Sequence, residues 1–177
     1  MSHATLNQGH SRRQWLLAAT ASLVVPRLFA AGLPTLPPSV SLLDELRAAL
    51  GKGNPLVVMV SLEGCVFCRA VRGSHLVPLR EQEGTDVVQV DMRTAQVTRD
   101  FKGAVVTHEQ MVQSWGVRVA PTVLFFGPGG VEVAERLTGG YIPDFYGAYL
   151  DDRLARARTK IRTVLSLTQG ANVWRES

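Results

Sequence analysis

Apolar residues recur along the chain in two periods, and the alternation between those periods lays out the elements. In "SVSLLDELRAALGKG", Leu42, Leu43, Leu46 and Leu50 fall at helical intervals after a serine and before Gly51, which predicts a first helix. "PLVVMVSL" is a continuous apolar run of strand length, the pattern of a strand covered on both faces. A second helix is expected from about Val66 towards Val77, with Pro78 limiting it. "DVVQVDM" reads as the next strand, and "TRDFKGAVVTH" carries the short pieces of an inserted hairpin around Lys102 and Gly103. Thr107 and Gln110 stand at capping-box spacing at the head of a third helix that stops at Gly116. "APTVLFF" is another fully apolar strand, "GPGG" a tight turn and "VEVAERL" an alternating strand, so these three predict an antiparallel hairpin. Pro143 opens a last long helix. The order helix, strand, helix, strand, helix, hairpin, helix predicts an α/β fold, a mixed central sheet with helices on both faces.

The N-terminal stretch has a different grammar. Arg12 and Arg13 precede a mostly apolar run from Trp15 to Val25, and small residues follow at Ala30, Ala31 and Gly32. This is the pattern of a cleaved signal peptide, and the run falls short of the roughly 20 residues that span a bilayer. Residues 1–31 are therefore expected to be a leader, 32–39 ("GLPTLPPS") a Pro-rich linker, 40–165 the folded domain and 166–177 a tail, with no stable membrane insertion of the mature form. Arg12, Arg13 and Arg27 account for three of the four net positive charges, so the basic balance belongs largely to the leader. No basic stripe with interleaved aromatics remains, which excludes nucleic acid as a partner. The run from Arg153 to Arg162 reads as a solvated helix face.

Candidate chemistry rests on "GCVFC", whose Cys65 and Cys68 are the chain's two cysteines, placed between a strand and a helix. In an oxidising compartment such a pair is open to three readings: a staple, half of a metal site, or a redox couple. As a staple it would close too short a loop to stabilise much. As a metal site it lacks partners, because His75 and His108 lie outside ligand spacing and no second CxxC exists. Both histidines are expected at the surface or at helix ends. As a redox couple it has suitable surroundings: a thiol at a helix start, with Arg69 one turn on, is shifted towards its thiolate. Cys68, a turn inside the helix, would be shielded and act as the resolving thiol. Trp115, Phe125, Phe126 and Phe145 read as core or groove lining, and "GKGNPL" lacks the pattern of a phosphate loop, so no cofactor is expected.

On "GCVFC" after a strand and "VAPT" further along, the chain resembles the thioredoxin superfamily over roughly residues 40 to 160. Within it, "TRDFKG", "WGVRVAPTVLFFGPGG" and "GGYIPDFYGAYL", with Gly140 and Tyr141, resemble periplasmic SoxW-type thioredoxins and, more loosely, the C-terminal domain of the DsbD thiol transporter. The resemblance implies a thioredoxin fold and thiol–disulfide exchange through a redox-active Cys65–Cys68 disulfide, with no metal. It places Pro121 as a cis-proline facing the pair, with Ala120 and Thr122 framing an extended substrate segment beside Cys65. The acid that the family buries six residues before the first cysteine is Met59 here, which leaves Glu63 as a substitute proton relay. Gly64 replaces the usual tryptophan and should leave Cys65 more accessible. "SRRQWL" resembles the twin-arginine export signal.

Together these imply a periplasmic monomer that reduces disulfides of exported proteins and is fed by a membrane thiol transporter of DsbD or CcdA type. Two rivals remain. One is an oxidant that introduces disulfides, although such relatives carry a large helical insertion for which Arg69 to Ala120 leaves no room. The other is a non-catalytic binding module.

Overall fold

In the computed structural model, which describes residues 34–139 and 143–173, the chain opens with helix α1 (Leu42–Gly51), strand β1 (Leu56–Ser61) and helix α2 (Val66–Val71). A π-helical turn (Arg72–Leu76) joins α2 to α3 (Val77–Glu81), followed by β2 (Val87–Asp91), β3 (Val97–Arg99), β4 (Val105–Thr107) and α4 (His108–Ser114). The last part contains β5 (Thr122–Gly127), a 3-10 turn (Pro128–Gly130), β6 (Val131–Glu132), β7 (Leu137–Thr138) and α5 (Pro143–Val173). The expected leader and the Gly140–Tyr141 pair lie outside the described residues.

The sheet runs β2-β1-β5-β6, with β7 also on β5; β1 is parallel to β2 and antiparallel to β5. Every residue of β1 and β5 is buried, as their unbroken apolar runs require of strands covered on both faces. The pleat then sorts their side chains into two cores. Val57, Met59, Val123 and Phe125 face Val71, Leu79 and the α5 residues Leu150, Leu154 and Ile161. Leu56, Val58, Val60, Leu124 and Phe126 face Leu42 and Leu46 of α1 and Met111 of α4. The architecture is thus the thioredoxin-like α/β fold, a mixed sheet between helices.

Local chemistry sets the helix starts. The Ser41 hydroxyl accepts the Asp44 N–H at the head of α1, and Thr107 and Gln110 form a reciprocal capping box on α4. The expected insertion is present as the antiparallel β3–β4 pair.

Four features differ from the sequence reading. The helix expected to stop at Pro78 continues to Glu81, because the π turn widens the backbone just ahead of the proline: the Val77 N–H reaches back to the Arg72 carbonyl. The strand read from "VEVAERL" is broken into β6 and β7, the interruption being braced by an ion pair between Arg136 and Glu132. Part of the linker is folded: Leu36 is buried, and Pro38 bridges Gln89 along the free edge of β2. Finally, α5 runs beyond residue 165 to Val173, into the expected tail.

Candidate active site

β1 delivers the chain to the C-terminal end of the sheet, where Leu62–Gly64 turn it into α2. Gly64 holds φ +74 there, a left-handed conformation that favours glycine. Cys65 is the N-cap of α2 in extended geometry, and its Sγ accepts the Cys68 N–H at 3.1 Å. The two cysteines form a disulfide with Cα atoms 5.2 Å apart. They are unequally exposed: Cys65 is half-buried, whereas Cys68 is 1% exposed and packs in the same core as Met59. A thioether therefore occupies the layer behind the pair.

The loop before β5 faces the disulfide. The Ala120–Pro121 peptide bond is cis, and the Cys65 Sγ lies 3.9 Å from the Ala120 carbonyl oxygen. The Pro121 carbonyl is occupied by the Gly139 N–H at 2.8 Å. Thr122 behaves differently from a substrate-facing residue: it is buried, and its hydroxyl donates to the Val119 carbonyl at 2.7 Å. It shapes the loop from within. Val66, Phe67 and Val119 are exposed, so the loop and the CxxC turn carry apolar side chains at the surface.

On the other side of Cys65 lies a polar cavity of about 350 Å³. Glu63 is exposed on its rim, as is Arg69. Its wall is a network absent from the sequence reading. The Arg72 guanidinium donates from Nε to Gln89 Oε1 at 2.8 Å and from Nη2 to Ser61 Oγ at 2.9 Å. Gln89 Nε2 in turn donates to Asp91 Oδ1 at 2.6 Å. The sheet register explains this convergence, since Met59 pairs with Gln89 and Ser61 with Asp91. Gln89 and Asp91 thus extend the face of the sheet on which Met59 and the cysteine helix sit. Two signals pointed here: Arg72 stands one helical turn after Cys68, and two polar residues at period two interrupt an otherwise apolar strand.

The histidines were expected at the surface or at helix ends, and His108 does stand at a helix start, but neither is a surface residue. His108, at the first position of α4, is fully buried. Its Nδ1 accepts the Asp91 N–H at 3.1 Å, which leaves Nε2 as the donor to the Ser39 carbonyl at 2.9 Å. It ties the docked N-terminal segment to the end of β2. His75 is half-buried, its ring 5.1 Å from that of Tyr146. Burial holds its pKa below the ordinary histidine value, a shift partly opposed by the Asp151 carboxylate.

The family model for a thioredoxin-like domain matches residues 42–154, well over half of the chain. No curated protein matches the sequence. Among solved structures, the chain is similar to thioredoxin O2 of Arabidopsis thaliana in its oxidized state, at 17% identity and a TM-score of 0.43 over 64% of this chain and 93% of that one. It is also similar to the periplasmic thioredoxin SoxS of Paracoccus pantotrophus, at 19% identity and a TM-score of 0.40 over 58% and 98% of the two chains. A third is the exposed lipoprotein thioredoxin Etrx1 of Streptococcus pneumoniae, at 19% identity and a TM-score of 0.42 over 60% and 89%.

Proposed function

The chain belongs to the thioredoxin-like family, and on that premise we propose that it is an exported thiol–disulfide oxidoreductase that reduces disulfides of other exported proteins. The observation that carries this reading is the inequality of the two cysteines: a half-exposed Cys65 beside the Ala120–Pro121 loop, and a Cys68 sealed in the core.

In the reductive direction the Cys65 thiolate attacks a substrate disulfide, giving a mixed disulfide and one substrate thiol. Cys68 then attacks Cys65, releasing the second substrate thiol and closing the protein disulfide. The Cys68 N–H, 3.1 Å from the Cys65 sulfur, stabilises negative charge on the attacking atom. An extended substrate segment is served by the half-buried Ala120 and by the exposed apolar side chains of Val66, Phe67 and Val119. Glu63, on the rim of the cavity that Cys65 also lines, is a carboxylate available to move a proton for the pair in place of the acid that Met59 replaces.

Magnitudes support the reductive direction. A strong oxidant near −120 mV differs from a reductant near about −270 mV by roughly 7 kcal/mol of preference for the reduced pair. The site offers one hydrogen bond to the Cys65 sulfur, of the order of 1.5–3 kcal/mol when the acceptor is charged. The guanidinium groups of Arg69 and Arg72 are offset by the carboxylates of Glu63 and Asp91 around the same cavity. Val66 and Phe67, between the cysteines, bring no charge.

The leader grammar of residues 12–32 supports export to the periplasm, where a membrane thiol transporter would return electrons to the pair. Insulin reduction by a dithiol in the presence of the protein tests the activity, and equilibration against glutathione tests the direction. A potential near −270 mV is expected. One near −120 mV would reassign the protein as an oxidant, and no acceleration of insulin reduction would leave a binding module.

A further inference from the structure

The cavity beside Cys65 holds opposite charges that do not meet. Arg72 and Asp91 both line it, yet they are joined through the Gln89 side chain instead of by a direct ion pair. Arg72 spends Nε on Gln89 and one Nη2 hydrogen on Ser61, leaving Nη1 without a protein acceptor among the described residues. Asp91 uses Oδ1 for Gln89, and Oδ2 takes no hydrogen bond among the described residues. A guanidinium and a carboxylate held one amide apart, each with bonding capacity to spare, form a two-part receptor fixed by its own network. Arg69 and Glu63 repeat the same two signs at the rim.

The charge pattern selects a ligand class. A purely anionic group would meet Arg72 but be opposed by Asp91 and Glu63, and a purely cationic group would meet the reverse. A group bearing an ammonium and a carboxylate on one carbon satisfies both. Because Cys65 lines the same cavity, we propose that it is a subsite for the free α-amino-carboxylate head of a small disulfide, so that the protein reduces low-molecular-weight amino-acid disulfides of the cystine type. This rests on the reductase reading above and names a substrate class for the same site.

With the head seated, the Cys65 thiolate attacks one cystine sulfur, the S–S bond breaks, and one cysteine leaves as its thiolate and takes a proton. Cys68 then attacks Cys65, forming the protein disulfide and releasing the second cysteine. The two electrons come from the protein dithiol, which one cystine consumes.

The test uses prereduced chain, freed of reductant, against four disulfides: cystine (zwitterionic), cystamine (cationic), 3,3′-dithiodipropionate (anionic) and 2-hydroxyethyl disulfide (neutral). Each single-turnover rate is divided by that disulfide's rate with free dithiothreitol, which removes differences between leaving thiols. Cystine is expected to exceed each of the others by on the order of tenfold, the usual worth of a charge-assisted contact. Arg72→Gln should abolish its advantage over cystamine, and Asp91→Asn its advantage over dithiodipropionate. The wild-type ranking stands as a test even if a variant fails to fold. Four normalised rates within about twofold, or dithiodipropionate ahead of cystine, would overturn the subsite while leaving the reductase reading intact. Failure to reduce any of the four, together with failure on insulin, would remove the reductase reading itself.

Discussion

The sulfur of Cys65 accepts the backbone N–H of Cys68 at 3.1 Å, while the Cys68 sulfur is buried with its residue only 1% exposed. One short turn therefore gives the two thiols different tasks: the first can be reached and is stabilised as an anion, and the second can reach little except the first. Cys68→Ser is expected to accumulate mixed disulfides through Cys65, because the step that releases product is lost. Cys65→Ser should accumulate at least about tenfold fewer. Non-reducing gels of cells expressing each variant make the comparison, and equal trapping by the two would contradict the assignment.

His108 is expected to be a structural keystone. Its imidazole joins the Asp91 N–H to the Ser39 carbonyl in a fully buried position, so His108→Leu leaves two polar groups without partners. Each such group costs about 1–3 kcal/mol. The variant should lose roughly 2–6 kcal/mol in urea denaturation, and His108→Gln, which can restore one contact, should lose less. A loss below about 1 kcal/mol for the leucine variant would show that the two groups find other partners.

The parts of this molecule that were legible in the sequence are those whose signal is local. Val57–Val60 and Val123–Phe126 announce buried strands by composition alone, and Ser41, Thr107 and Pro143 mark helix starts by their own chemistry. The cysteines were legible for the same reason. The cavity wall was not, because Ser61, Arg72, Gln89 and Asp91 become neighbours only through the parallel register of β1 and β2. His108 stands at a helix start as expected, but its burial was not legible for a related reason: it depends on Ser39, far away in sequence, docking at the end of β2. Pro78 as a stop was a local rule overridden by a π turn that the hydrophobic period does not encode.

Acid is expected to weaken the fold through His75. Burial against Tyr146 and Gly147 lowers its native pKa, and the Asp151 carboxylate only partly opposes this. The unfolded chain then binds the proton first as pH falls through about 6.5, the ordinary histidine value. In that window the unfolded state carries more protons than the native state, so stability falls as pH is lowered from about 6.5 towards the native pKa, and no such loss occurs above about 6.5. His75→Phe keeps a ring against Tyr146 but cannot titrate. Melting temperatures from pH 8 to pH 5 should decline less steeply for the variant than for the wild type. Parallel profiles would assign the decline to other groups.

Gly130 is expected to be harder to replace than its neighbour Gly129 in the "GPGG" turn. Its φ of +70 is left-handed, and a Cβ there would stand 2.5 Å from Phe101 Cγ and 2.7 Å from Phe101 Cβ. The Phe101 Cβ is fixed to the backbone and its ring is packed 4.7 Å from that of Phe126, so the side chain cannot swing clear. Gly129, with φ +74, offers an internal control, since a Cβ there would meet only Val131 at 4.0 Å. Gly129→Ala should therefore cost the left-handed penalty alone, about 1–2 kcal/mol. Gly130→Ala should add an overpacking cost of about 1–3 kcal/mol. Adding Phe101→Ala to Gly130→Ala removes the obstructing ring, and the double variant should be less destabilised than the sum of the two singles. Urea denaturation of the four variants measures each term. Equal losses for the two alanine substitutions, or strict additivity in the double variant, would mean that the turn shifts to make room and that the Phe101 contact does not dictate glycine at position 130.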